Sequence, residues 1–251
     1  MIVGQPELIQ MIETLSFKAL PALEQLEYDG WILRYANGYT RRANSVNPVY
    51  AGIDDVDLKI HMCETFYARK NRPTVFKMTD AVYPSDLDTI LAENEYRKEA
   101  ETYVYTMSLS GKGHLAGNAH IDTELSATWV NHFAELNQIP DQHKQTLRQM
   151  LALIPTQCGF VNLMAGGEVV GVALGVIDGE WMGIYDVVVH SDHRGKGYGR
   201  AIMEALFAWG MAQGASDAYL QVQANNTTAM ALYRALGFTQ QYAYWYRVMD
   251  L

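Results

Sequence analysis

Val187-Val-Val-His-Ser-Asp-His-Arg-Gly-Lys-Gly-Tyr-Gly-Arg200 is the stretch on which the reading of the whole chain turns. Three valines end a strand, three glycines follow at alternate positions, and from Tyr198 a helical period runs to about Gln213. A strand passing through glycines into a helix leaves backbone N–H groups without intrahelical partners and aims the positive end of the helix dipole at one point. Glycine lets that backbone approach a ligand closely. Arg194, Lys196 and Arg200 add donors suited to phosphate oxygens. The stretch reads as a pyrophosphate cradle, against the plainer reading of a glycine-rich turn with solvated basic residues. It is not a P-loop, since G-x-x-x-x-G-K-[ST] occurs nowhere in the chain. Nor is it a dinucleotide fingerprint, because Arg200 stands where a third small residue should pack.

Downstream, residues 219–223 read as a strand. Asn226 is a good N-cap and Gly237 a good left-handed terminator for a helix over 227–236, followed by Phe238 and a final strand. Upstream, 169–177 and 181–189 form a hairpin through Asp178-Gly179, preceded by a strand at 160–165, helices within 126–153 and a strand at 119–122. Small polar residues over 110–118 read as a linker. In the first part, apolar spacing predicts a helix over 8–26 interrupted by Pro21, and Asn37-Gly38 predicts a hairpin between 31–36 and 39–44. Helices over 57–69 and 86–95 and strands at 74–78 and 102–109 complete it.

A shift of 142 residues lays the helix end and strand of 91–109 on those of 233–251, with Tyr96 on Phe238, Met107 on Met249 and Leu109 on Leu251. This suggests a tandem repeat. The same shift puts Leu91 opposite Tyr233 and Tyr83-Pro84 opposite Asn225-Asn226, and the first half has no R-x-x-G-x-G.

With 251 residues and a net charge of −9, the chain is long enough for two modest domains and ill-suited to general nucleic-acid binding, which requires a basic face. Yet of seven basic residues after Leu115, four (Arg194, Lys196, Arg200 and Arg234) fall in the glycine loop and the 226–238 segment, so the acidic total conceals a local anion site. Two cysteines without C-x-x-C spacing, no signal-peptide layout and no apolar run of bilayer length make a cytoplasmic protein without membrane partners the expectation. No His/Cys/Asp grouping has metal spacing, so no metal is expected.

V-x-x-x-x-R-G-x-G-x-G from Val189 to Gly199 and N-x-x-A-x-x-L-Y-x-x-x-G-F from Asn226 to Phe238 resemble the GNAT superfamily of acyl-CoA-dependent N-acyltransferases. The motif match runs from about Val169 to the C-terminus, and the stretch 31–48 resembles a subgroup with a degenerate GNAT-like first half. The resemblance implies an α/β (α+β) fold of tandem GNAT-like halves, each a mixed, mostly antiparallel sheet flanked by helices. Residues 1–115 would be the degenerate domain and 116–251 the catalytic one.

It further implies that acetyl-CoA enters where the strand 185–189 splays from the strand 219–223. Backbone groups of Val187, Val188 and Val189 would hold the pantetheine, and one of their N–H groups could polarise the thioester carbonyl. Arg194, Gly195, Lys196, Gly197, Tyr198, Gly199 and Arg200 would hold the pyrophosphate. Asn226 would cap its helix, contact the pantetheine amide, or both. Tyr233 matches the family tyrosine that protonates the leaving thiolate, and its plainer reading is packing of a short helix. Asp186, placed by strand alternation opposite Val187, is the candidate base or water relay, or else a structural carboxylate. His190 and His193 sit at the phosphate end and read as surface histidines. Trp31, Arg34, Tyr39, Arg41, Arg42, Asn44 and Ser45 could face an acceptor cleft, although sheet packing or a solvated face suits each better.

The implied activity is acetyl transfer to a primary amine of a small molecule, by direct attack in a ternary complex, in a monomer or homodimer. The alternatives are acetylation of a protein N-terminus or lysine, and a non-catalytic acyl-CoA sensor or assembly module.

Overall fold

A computed structural model describes residues 5–112 and 118–251. The expected linker falls mainly on residues 113–117, and the division at 115/116 wholly so, outside the described residues. In chain order the elements are α1 (Pro6–Ala19), β1 (Glu24–Tyr28), β2 (Trp31–Tyr35), β3 (Ser45–Asn47), α2 (Val56–Ala68), β4 (Thr74–Thr79), α3 (Leu87–Glu93) and β5 (Arg97–Ser108). There follow β6 (Ala119–Asp122), α4 (Ala127–Leu136), α5 (Asp141–Ala152), β7 (Gln157–Ala165), β8 (Glu168–Asp178), β9 (Trp181–Val189), α6 (Tyr198–Ala212), β10 (Asp217–Gln223), α7 (Thr227–Leu236) and β11 (Thr239–Met249). They divide into two compact units. One runs up to Val104 and takes in Gln241–Leu251, and the other is Tyr105–Gln240.

In the first unit β1 and β2 are antiparallel, as are β2 and β3, while β3 runs parallel to β4 and β4 antiparallel to β11. Two expectations fail here. The helix expected over 8–26 ends at Ala19, and residues from Glu24 form β1, because Pro21 lacks the N–H needed to continue the helix. The hairpin closes on Asp29-Gly30, both at positive φ, with Tyr28 opposite Trp31. Asn37 and Gly38 also have positive φ, but they open a longer connection. The Asn44 amide takes the N–H groups of Ala36 and Gly38 at 2.9 Å and donates to the Thr40 carbonyl at 2.8 Å. That local competition replaces a ladder with a 3₁₀ turn at Arg41–Ala43 and leaves β3 only three residues long.

The core of this unit gathers Trp31, Leu33 and Val46 with Phe76 and Met78 of the fully buried β4, under Ile60, Cys63 and Tyr67 of α2 and Leu87 and Leu91 of α3. Trp31, Arg34, Asn44 and Ser45 are thus structural. Arg34 is buried and donates to the carbonyls of Phe17, Leu20 and Arg42, capping the C-terminal end of α1.

In the second unit β6, β7, β8 and β9 form an antiparallel run, and β9 is parallel to β10. The Leu109 N–H continues the pairing onto the Ser216 carbonyl at 2.8 Å. The hairpin β8–β9 turns on Gly179-Glu180, one residue later than expected. Helix α6 lies close on β8: a Cβ built on Gly171 would stand 2.8 Å from Ile202 Cδ1, and one on Gly175 would stand 2.9 Å from both Leu206 and Trp209. Small residues on the strand let the helix approach, and its Ile202, Leu206 and Phe207 are buried in return.

Candidate active site in the second unit

The site begins where β9 stops alternating. Leu174 pairs with Tyr185 and Val172 with Val188, so Asp186 and Val187 together oppose the single residue Ala173. This is a β-bulge, and Asp186 takes φ +55 to make it. The expected alternation of Asp186 with Val187 therefore does not hold. On the other side, the parallel pairing with β10 has its last register pair, among the described residues, at Ile184 and Leu220.

Beyond the bulge, Val187, Val188 and Val189 all line a cavity of about 620 Å³. Three consecutive strand residues cannot all present side chains to one side, so it is the strand's edge that faces this space. The opposite wall is α7, with Thr228, Ala229, Leu232 and Tyr233, and Asn226 at its start. Asn226 Oδ1 accepts the Ala229 N–H at 3.1 Å, and Gly237, at φ +106, ends the helix.

The third wall is the loop before α6. Gly195 and Gly197 have φ +74 and +84, and a Cβ on either would meet nothing within 4 Å. These glycines serve backbone conformation and an open approach rather than packing. Helix α6 starts after Gly197 without a side-chain cap, and its first-turn residues Tyr198, Gly199 and Arg200, whose N–H groups lack intrahelical partners, line the cavity. Arg194 lines the cavity and is anchored by its Nε on the Val189 carbonyl at 3.2 Å. Lys196 is not a lining residue, for its ammonium folds back onto the Asp192 carbonyl at 3.0 Å.

Tyr233 is buried against Phe238, with ring centroids 6.0 Å apart, and burial pushes its hydroxyl up to about 12. It therefore stays protonated at neutral pH, as a donor must. Asp186 is half-buried and outside the lining set.

Of the residues expected to bind or react, all but Lys196 and Asp186 come together around this one space. His193, read as a surface histidine, lines it as well. So does Asn137, from the α4–α5 connection, which no local pattern distinguishes. Ala229 could have been found from its i, i+4 spacing to Tyr233, and Thr228 and Leu232 stand at the same spacing on the adjoining face. A second cavity, about 680 Å³, shares Arg194 as a lining residue and is lined by His132, Glu135, Glu168 and His190 among others. Among the described residues no group of three His, Cys, Asp or Glu could hold a metal ion, and no helix is long and apolar enough to cross a membrane.

A bulged strand ending in a glycine loop, a helix, a parallel strand and a short capped helix with a buried tyrosine define the GNAT class of N-acetyltransferases. Comparisons agree. The family model "Probable histone acetyltransferase Rv0428c C-terminal" matches residues 8–247. The uncharacterized N-acetyltransferase YobR of Bacillus subtilis is 31% identical over 251 residues, covering 96% of this chain and 98% of its own. Among solved structures, a GCN5-related N-acetyltransferase from Kribbella flavida superposes with a TM-score of 0.71 at 15% identity, covering 96% of this chain and 95% of that one. A tandem GNAT protein from the clavulanic acid biosynthesis pathway gives 0.61 at 12%, over 77% and 69%. The chain belongs to the Rv0428c C-terminal acetyltransferase family within the GNAT superfamily.

Proposed function

We propose that the protein transfers the acetyl group of acetyl-CoA to a primary amine of a small molecule in a ternary complex, and that the second unit carries the chemistry. The observation behind this reading is the 620 Å³ cavity that joins a free strand edge, a glycine loop and Tyr233. When bound, acetyl-CoA supplies an activated acetyl thioester. The first-turn N–H groups of α6 and the Arg194 guanidinium hold its phosphates. The edge of Val187–Val189 takes the pantetheine amides, and an N–H there stabilises negative charge on the thioester oxygen. The Tyr233 hydroxyl gives its proton to the departing sulfur. Asp186, directly or through water, takes the proton of the attacking amine.

The first unit repeats the order strand, loop, helix, parallel strand in β3, α2 and β4. Its corresponding slot is closed. Gln10 Nε2 donates to the Val49 carbonyl at 3.1 Å, the buried Glu13–Lys77 pair fills the adjoining space, and about 20 Å³ is left. This supports a degenerate first half that binds no acetyl-CoA. Two buried free cysteines suit a reducing cytoplasm, and a monomer or homodimer suffices for the chemistry.

The family description favours a second reading, acetylation of protein lysine. Released thiol, followed with acetyl-CoA against a panel of small amines and against lysine-rich peptides, separates the two. Turnover on small amines supports the first reading, and turnover confined to peptides overturns it. Arg194→Glu should abolish acetyl-CoA binding by calorimetry in either case, and retained affinity would falsify the assignment of the loop.

A further inference from the structure

Gly183 sits opposite Tyr219 in the parallel register of β9 and β10, and the next pair, Ile184 with Leu220, is the last. At this point two tyrosines meet. The hydroxyls of Tyr185 and Tyr219 lie 2.8 Å apart, both side chains are 3% exposed or less, and their rings pack edge to face at 6.0 Å and 88°. A Cβ on Gly183 would stand 2.6 Å from Tyr185 Cε2 and 2.7 Å from the Tyr219 hydroxyl. A side chain at residue 183 and the hydroxyl pair are thus mutually exclusive, and the chain has glycine there. Immediately after Tyr185 come the left-handed Asp186, the bulge and the cavity-lining Val187–Val189.

We propose that the Tyr185–Tyr219 hydroxyl pair is a positioning element for the coenzyme: it pins β9 to β10 at their last register pair, so that the edge of Val187–Val189 stays open beyond it. Two extended strands running parallel tend to continue their ladder, because unpaired N–H and C=O groups are costly when buried. A directional hydrogen bond between two buried hydroxyls fixes the relative position of the two side chains, and through them of the strands that carry them, just before the bulge. Without the pin, β9 can slide toward continued pairing with β10 and close the edge that acetyl-CoA would use. The inference rests on the reading of the cavity as the acetyl-CoA site.

The test is a double-mutant cycle with Tyr185→Phe, Tyr219→Phe and both together, each keeping its ring. Titration with acetyl-CoA should show Kd raised about five-fold or more in each single variant, the equivalent of one hydrogen bond. The double variant should be no weaker than the worse single, since both remove the same link. Unchanged Kd with a lowered Tm would make the pair merely structural and overturn the proposal, as would effects that add in the double variant. A ligand-free measurement separates this from the coenzyme reading. Amide hydrogen exchange at Val187–Val189 should slow several-fold in Tyr219→Phe as the edge pairs, and unchanged exchange overturns the pin whether or not acetyl-CoA binds.

Discussion

Both carboxylate oxygens of Asp29 accept the backbone N–H of Ile53, each at 3.0 Å, and one of them also takes the N–H of Asp54 at 3.0 Å. Asp29 lies in the β1–β2 turn, and Ile53 in the loop that leads into α2. That loop has the same place between strand and helix as the glycine loop before α6. In the first unit its donors close on a carboxylate of the chain itself, and Asp55 takes the N–H groups of Asp57 and Leu58 in the first turn. In the second unit the helix begins uncapped beside an open cavity. One loop is saturated by a carboxylate of the chain, and the other opens its helix start onto a cavity.

The Asp29 contacts make a pH prediction. Backbone donors and Lys59 hold its carboxyl at about 2, well below the ordinary carboxylate range. A lowered folded pKa stabilises the fold above the unfolded value of about 3.9, and the contribution fades as pH falls from there toward 2. Acid unfolding of the wild type should therefore show a loss in that window. Asp29→Asn should be less stable at neutral pH and lack that component, as followed by circular dichroism.

Tyr233→Phe removes the hydroxyl proposed as proton donor and keeps the ring contact with Phe238. The expected result is a fall in kcat of about 10²–10⁴-fold with the acetyl-CoA Kd little changed. Because burial raises the hydroxyl to about 12, ionisation of Tyr233 should not shape the pH–rate profile of the wild type. An alkaline limb near the ordinary tyrosine value of about 10 that disappears in the variant would contradict this.

The buried ion pair of the first unit gives a stability test. Lys77 and Glu13 bond to each other with side chains 3% and 6% exposed, Tyr242 donates to the other Glu13 oxygen at 2.8 Å, and Lys77 lies 4.0 Å from the Tyr244 ring centroid. Lys77→Met should cost about 3–5 kcal/mol in urea unfolding, because it leaves a buried carboxylate without its counter-charge. Adding Glu13→Gln to that variant should recover a large part of the loss.

Gly171→Val tests the close approach of α6 to β8. Even the first carbon would stand 2.8 Å from Ile202 Cδ1 and 3.0 Å from the Val188 carbonyl oxygen. Overpacking of this kind costs about 1–3 kcal/mol. Calorimetry should show a lowered Tm that Ile202→Ala partly restores.

Residues near one another in the chain were the legible ones. Gly237 and Asn226 bound α7 because capping is a local matter of backbone conformation and nearby donors, and the glycine loop announces an uncapped helix start for the same reason. Local signals misled where two of them competed. Asn37-Gly38 has the positive φ values of a hairpin turn, yet Asn44 draws the following chain into a 3₁₀ turn, and Asp29-Gly30 closes the hairpin instead. The apolar spacing at 20–26 looked helical because a short exposed strand and a helix can share such positions, and Pro21 settled it by ending α1.

By itself the sequence determined the class of the protein, the order of the elements in its second unit and most of the residues around the cavity, since these lie in two segments with local backbone chemistry. Only the tertiary structure decided that β9 bulges at Asp186, that Lys196 folds away while Asn137 joins the wall, and that Gln10, Glu13 and Lys77 close in around a space of about 20 Å³ beside β3 and β4. Each of these depends on which distant groups compete for the same space and the same hydrogen bonds, and no spacing along the chain records that competition.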